Sequence, residues 1–330
     1  MKILVAGGAG YIGSVLIPKL LDRGYDVDVV ELFWFGNHLP DQVGIVRKDI
    51  FDLTVEDLRE YEQVIFLAGL SNDPMAEFSP SKNFIFNAAA PGYLGYIAKN
   101  AGIRRYIYAC SCSVYGYTEN ELFDETRPTT CAYPYGISKL QGEKAAMQLQ
   151  DCTFSVISLR QGTVSGFSPR MRLDLIVNTM FKSAMRDHMI AVNNPAIWRP
   201  ILGIEDATAA YIRSIEANYA ISGVFNVASG NFTVGEVADR VRMTIEQETG
   251  IKLDLKIRHI QDLRNYKVTI DNAQNILSFH PQSTISSIVR DLLNNQRKFS
   301  DWDNPLYYNI EQFKALEISY PALKVAAAVG

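Results

Sequence analysis

At 330 residues with 48% hydrophobic content, the chain is long enough to bury a large core, as one big domain or two smaller ones. Its formal net charge of -4 leaves no electrostatic footprint for nucleic acid, so a phosphate-rich ligand would have to be held by local arginines, and no apolar run approaches the roughly 18 residues needed to span a bilayer. The start lacks a charged region followed by a signal-type core, and Cys110, Cys112, Cys131 and Cys152 have neither a metal spacing nor a secreted disulfide pattern, so a cytoplasmic protein with reduced thiols and no metal is expected.

A first strand is predicted over Lys2–Ala6 and an amphipathic helix from Tyr11 to Leu21, which puts Gly7, Gly10 and Gly13 at a strand-to-helix turn. Gly7 can take the positive φ of a tight turn, Gly10 lets backbone N–H groups approach a pyrophosphate, and Gly13 lets the helix pack on the strand. A second strand, Val27–Val30, ends in Glu31, placed to accept hydrogen bonds from an adenosine ribose, the alternative being a solvated strand end. The residues that follow, Leu32 to Asn37, include no Arg or Lys for a 2′-phosphate, which favours NAD over NADP. Phe33, Trp34 and Phe35 either cover the adenosine or pack on a neighbouring helix.

Further strands are predicted at Gly44–Arg47, Val64–Leu67, Arg105–Ala109 and Phe154–Leu159, alternating with helical patterns near Thr54–Tyr61, Pro80–Ala101 and Pro134–Leu149. Such alternation predicts an α/β fold with a Rossmann-type doubly wound parallel sheet. Beyond Gly162 the regularity loosens: Ser165–Pro169 reads as a loop, and Asn193-Asn194-Pro195 and Arg199-Pro200 read as breaks. Residues 1–162 are therefore assigned to an NAD-binding Rossmann domain and 163–330 mainly to a smaller substrate-binding lobe, with some segments returning to the Rossmann core.

Tyr135 and Lys139 lie four apart on one face of the predicted helix. A free tyrosine titrates near roughly 10 and needs a neighbouring cation to act as a base at neutral pH, which Lys139 and an oxidised nicotinamide would supply. Ser111 follows the strand ending near Ala109, so its hydroxyl can emerge at the carboxyl edge of the sheet and bond the oxygen that Tyr135 deprotonates. His38, His188, His259 and His280 have no motif around them.

The runs Gly7–Gly13, Ser111–Gly116 and Tyr135–Lys139 together resemble the signatures of extended short-chain dehydrogenases/reductases, the NAD-dependent epimerase/dehydratase family. Trp198–Asp206 and Asn226–Gly230 are similar to later landmarks of that family, so the resemblance spans most of the chain. It implies Ser111, Tyr135 and Lys139 as the catalytic set. It also implies cofactor contacts from the Gly7, Gly10 and Gly13 turn, with Tyr11 and Ile12 inside it, and from Glu31. Asp49 and Ile50 match an adenine-contacting pair, Leu67-Ala68-Gly69 a segment along the pyrophosphate, and Asn87 a position that buttresses the site. Nucleotide sugars are the implied substrates, and helices such as Pro80–Ala101 and Pro134–Leu149 imply a homodimer. Arg199 matches a phosphate-binding arginine. Arg264 is a second candidate or a solvated surface residue; Ser113 and Thr163 are further substrate candidates, Thr163 standing where many relatives carry an asparagine. Arg170–Asn178 either folds over the sugar nucleotide, with Arg170, Arg172 and Asn178 touching it, or is a plain amphipathic helix.

By the same resemblance, the residues beside Ser111 decide the reaction. The dehydratase branch carries acids at the next two positions and the decarboxylase branch a glutamate at the second, whereas Cys112 and Ser113 stand here. Simple oxidation and re-reduction of one secondary alcohol remains, so an NAD-dependent nucleotide-sugar epimerase acting at C4 is expected. A keto-sugar reductase using NAD(P)H and, more remotely, a non-catalytic NAD-binding sensor stay as alternatives.

Overall fold

The computed structural model describes residues 1–259 and 264–319. Seven parallel strands form the central sheet, in the spatial order Gly223–Val227, Ser155–Gln161, Arg105–Ser111, Gln63–Phe66, Lys2–Ala6, Asp26–Val30 and Gly44–Val46. Successive side chains point to opposite faces of a strand, so Leu4 and Ala6 enter one apolar layer while Ile3 and Val5 enter the other. Helices Ala90–Asn100 and Pro134–Met147 cover the first layer, and Gly13–Leu21 and Ile204–Glu216 cover the second.

From Lys2–Ala6 the chain steps outward through two strands on one side and then returns to Gln63–Phe66 on the other. That reversal opens a crevice at the carboxyl ends of these neighbouring strands, where ligands bind in doubly wound sheets. Gly7 stands there with φ of 81°, and a Cβ on it would lie 2.6 Å from the Ala68 Cα.

The helix expected over Pro80–Ala101 is interrupted. Pro80–Phe84 and Ala90–Asn100 are α-helical, and Ile85–Ala89 between them is a π-turn. Pro91 explains it: proline has no N–H for the Asn87 carbonyl and its ring crowds that oxygen, so the backbone widens. The Asn87 carbonyl instead faces the Tyr108 hydroxyl at 3.1 Å, which is also 3.2 Å from the Lys139 carbonyl.

Past Gly162 the chain is divided. Gly223–Val227 joins the central sheet beside Ser155–Gln161, and Ile204–Glu216 packs beneath it. Helices Ile176–Asp187, Val234–Thr249 and Ile285–Asn295 build a separate apolar core. Arg199-Pro200, read above as a break, lies inside the strand Trp198–Gly203. Proline is tolerated because pairing with Thr163–Ser165 begins only at Ile201, so no ladder bond is lost on that side. The short helix Asp73–Phe78 was not anticipated either; Asn72 caps it by accepting from the Met75 N–H at 3.1 Å. No helix among the described residues is long and apolar enough to cross a membrane.

A Cβ on Gly13 would meet the Gly8 carbonyl oxygen at 2.2 Å, and a backbone atom cannot swing aside. Gly13→Ala should therefore destabilise the protein by about 1–3 kcal/mol, read as a lower urea midpoint at unchanged m-value.

Candidate active site

A cleft of about 580 Å³ runs from the glycine turn to the second lobe. Its floor is the carboxyl edge of the sheet, and the catalytic candidates are set there by two elements. Strand Arg105–Ser111 ends in Ser111, and helix Pro134–Met147 carries Tyr135 and Lys139 one turn apart. Ser111 lies beside the Tyr135 phenol and favours its ionised form, and the Ser113 hydroxyl donates to Ser111 Oγ at 2.9 Å.

Burial governs the electrostatics of this set. It holds the Tyr135 phenol above its ordinary value, with Cys110 and Asp73 adding to the rise and Arg172 and Ser111 opposing it. It pushes the Lys139 ammonium down to about 8. That ammonium lies 4.7 Å from the Tyr108 ring centroid, a contact that suits a cation in a dry setting.

At the other end Gly7, Gly10, Tyr11, Ile12 and Gly13 line the cleft. Gly10 has no Cβ to obstruct a ligand at the N-terminus of helix Gly13–Leu21, and the Tyr11 hydroxyl donates to the Gly166 carbonyl at 2.6 Å. Glu31 accepts from the N–H groups of Ala9, Leu32 and Phe33 at 3.1, 2.9 and 3.2 Å, which ties the glycine turn to the second strand. Burial lifts its carboxyl above the usual range and these three bonds oppose the lift. Leu67, Ala68, Gly69 and Asn87 form another wall of the cleft. The cradle fits NAD: anion-ready amides at a helix start, an acidic residue closing the second strand, and a Ser–Tyr–Lys set where the nicotinamide would end.

Other sequence candidates divide. Thr163, Ser113, Arg199 and Arg264 line the cleft; Glu31, Asp49, Ile50 and Asn178 do not. Asp49 caps the turn at Phe51, and Ile50 packs on the core. Asn178 departs from the expected sugar contact, because its amide is spent inside the protein: it donates toward the Tyr11 hydroxyl and the Gly166 and Arg172 carbonyls and accepts from the Gly166 N–H. It props Tyr11 from behind. Residues 170–175 form an irregular wall and the helix begins only at Ile176, so Arg170 and Arg172 reach the cleft from a loop. Arg199 donates to the carbonyls of Trp198 and Arg264, and Arg264 pairs with Asp73 at 2.5 Å. The aromatic triplet splits: Trp34 packs on Phe86 and Phe313, while Phe35 faces the cleft beneath the Arg170 guanidinium at 3.7 Å.

Sequence reasoning missed Asp73, Asp174, Gln161, Tyr266 and Asn309 in the lining. For Asp73 a signal existed: Asn72-Asp73-Pro74 is a helix-start pattern just beyond a strand at the ligand edge.

A parallel doubly wound sheet whose glycine turn opens on a Ser–Tyr–Lys set with the lysine buried defines a dinucleotide-dependent enzyme of the extended short-chain dehydrogenase/reductase type. The chain belongs to the NAD dependent epimerase/dehydratase family, whose model matches residues 3–228. It is 25% identical to UDP-glucose 4-epimerase of Corynebacterium glutamicum over 88% of this chain and 94% of that protein. It is 24% identical to UDP-glucuronic acid decarboxylase 1 of Arabidopsis thaliana, over 86% and 67% respectively. Among solved structures, MoeE5 in complex with UDP-glucuronic acid and NAD superimposes with a TM-score of 0.79 at 25% identity, covering 90% of this chain and 99% of MoeE5. UDP-glucose 4-epimerase from Thermotoga maritima has the same fold, with a TM-score of 0.81 at 21% identity over 91% and 100% of the two chains. The protein is thus an NAD-dependent enzyme of this family.

Because Lys139 is held near 8 in the fold and returns to its ordinary 10.5 when unfolded, the unfolded chain binds more protons between those values. The NAD-free protein should gain a stability contribution from Lys139 as pH rises from about 8 towards 10, and below 8 the buried charge should weigh against folding. Lys139→Met should flatten that slope and raise the thermal midpoint at pH 7, measured by paired pH-dependent melting curves.

Proposed function

We propose that this enzyme interconverts the C4 epimers of a UDP-hexose, oxidising the sugar to a 4-keto intermediate and reducing it again on the opposite face. The observation that carries the reading is the convergence of Ser111, Tyr135 and a buried Lys139 one helical turn from Tyr135, in a cleft with no acid in the segment next to Ser111. The names of the relatives support a UDP-sugar substrate. Elimination and decarboxylation find no support beside Ser111: the Cys112 thiol is buried and donates to the Arg160 carbonyl at 3.1 Å, and Ser113 carries no carboxyl.

When bound, NAD supplies the hydride acceptor for the oxidation and the donor for the return. Ser111 and Ser113 hold the sugar oxygen with their paired hydroxyls. Tyr135, as phenolate, takes the proton from the C4 hydroxyl and gives it back once the sugar has turned. Charged Lys139 favours the phenolate and offers donors to the nicotinamide ribose. Glu31 is read as the acceptor for the adenosine ribose, with Asp49 and Ile50 towards the adenine. Arg199 and Arg264 are read as partners of the substrate diphosphate, since burying two phosphates without cations is costly, with Thr163 on the wall between.

Exposed Phe84 and Tyr96 on the Pro80–Asn100 segment support a homodimer built on that segment and helix Pro134–Met147. Four unbridged cysteines fit a reducing cytoplasm.

An NMR time course with UDP-glucose or UDP-galactose and catalytic NAD should reach an epimer mixture without net cofactor consumption. Conversion that needs stoichiometric NADH and a keto-sugar would overturn epimerisation in favour of reduction. Tyr135→Phe should lower turnover by about 10²–10⁴-fold while NAD affinity stays unchanged in a direct titration.

A further inference from the structure

Asp73 is a carboxylate that the chemistry above leaves unused. Its side chain is only 10% exposed; Oδ2 is paired with Arg264 Nη1, while Oδ1 is buried with no hydrogen-bond partner among the described residues. A desolvated carboxylate oxygen without a donor is unfavourable, and native structures normally supply one. The cleft can supply it, because Asp73 lines the same space as Ser111, Ser113 and Tyr135. The Asp73 charge also reaches the Tyr135 phenol.

Its position is held from two sides. On the near side Asn72 takes a φ of 91°, caps the Met75 N–H and donates to Asp174 Oδ2 at 3.1 Å. Asp174 is itself gripped by Arg172 at 2.9 and 3.0 Å, so its charge is already answered. On the far side Arg264 belongs to the second lobe: its carbonyl accepts from Arg199, and its guanidinium lies 5.4 Å from the Tyr133 ring centroid. Asp73 therefore joins Arg264 of the second lobe to the part of the molecule whose charge is felt by Tyr135, within the cleft that Ser111 and Ser113 also line.

We propose that Asp73 selects the glycosyl group: Oδ1 accepts a hydrogen bond from a sugar hydroxyl near the reacting carbon, so the cleft takes a neutral hexosyl nucleotide and disfavours a uronate. The inference rests on the nucleotide-sugar reading of the site. A neutral hexose presents hydroxyl donors around its ring. A uronate replaces one of them with a carboxylate that has no proton to give and repels Asp73 at hydrogen-bond distance.

The test is calorimetric titration of the NAD-loaded enzyme with UDP, UDP-glucose and UDP-glucuronate. Wild type is compared with Asp73→Asn, Asp73→Ala and Arg264→Gln. Wild type should bind UDP-glucose more tightly than UDP-glucuronate. Asp73→Ala should weaken UDP-glucose by about 10-fold or more relative to UDP, the loss expected for one hydrogen bond to a charged group. Asp73→Asn, which keeps an oxygen acceptor and loses the charge, should improve UDP-glucuronate at least 10-fold relative to UDP-glucose. Arg264→Gln, which removes the partner of Oδ2 but retains the Asp73 carboxylate, should keep the preference for UDP-glucose. An unchanged glucose-to-glucuronate ratio in both Asp73 variants would overturn the role of Asp73, as would equal losses for UDP or a loss confined to NAD. If wild type binds neither UDP nor either UDP-sugar, the nucleotide-sugar reading itself fails, an outcome separable from the others because it needs no variant.

Discussion

The Lys139 ammonium sits in a dry setting against the face of Tyr108 and on the same helix face as Tyr135, and the packing around it has little room to vary. Helix Pro134–Met147 must press close to strand Arg105–Ser111, and Gly142 makes that possible: a Cβ there would lie 2.3 Å from the Asn87 carbonyl oxygen and 2.6 Å from the Tyr108 hydroxyl. The Asn87 carbonyl is available to Tyr108 because Pro91 cannot donate to it, so the π-turn, the glycine and the tyrosine form one arrangement. A water-filled version of this contact would restore both groups to ordinary titration. Desolvation is what shifts both groups, the Tyr135 phenol upward and the Lys139 ammonium downward.

The cleft reverses the sign of the whole chain. Although the formal net charge is -4, the described lining carries Lys139, Arg170, Arg172, Arg199 and Arg264 against Asp73 and Asp174. An excess of cations is what a dinucleotide and a second diphosphate together demand. The arginines are not equivalent. Arg172 is answered by Asp174 and Arg264 by Asp73, whereas Arg170 stacks on Phe35 with its Nε buried and without a partner among the described residues. Burial pushes Arg170 down to about 9, as expected of a cation that lacks a close counter-ion.

The Rossmann half was largely legible. Gly7, Gly10 and Gly13, the alternation of strands with helices, and the Tyr135–Lys139 spacing each depend on residues close in sequence, where periodicity and turn chemistry act directly. What escaped was produced by partners far apart. Arg199-Pro200 looked like a break because proline cannot serve a central ladder, and only the register with Thr163–Ser165 accommodates it. Asn178 looked available to a sugar until Tyr11, Gly166 and Arg172 were found to use its amide. Asp73 drew no sequence reading, and only the approach of Arg264 across the cleft gives it a paired place in the lining.

The sequence by itself determined a dinucleotide-binding α/β enzyme with a Ser–Tyr–Lys set, because glycine conformations, helix periodicity and phenol–ammonium chemistry are local properties of the residues concerned. Tertiary structure alone decided which arginines remain answered, where Phe35 and Trp34 separate, and which oxygen of Asp73 is left without a donor. Those outcomes depend on desolvation and on charges brought together from separate elements, and both are set by the packing of the whole chain.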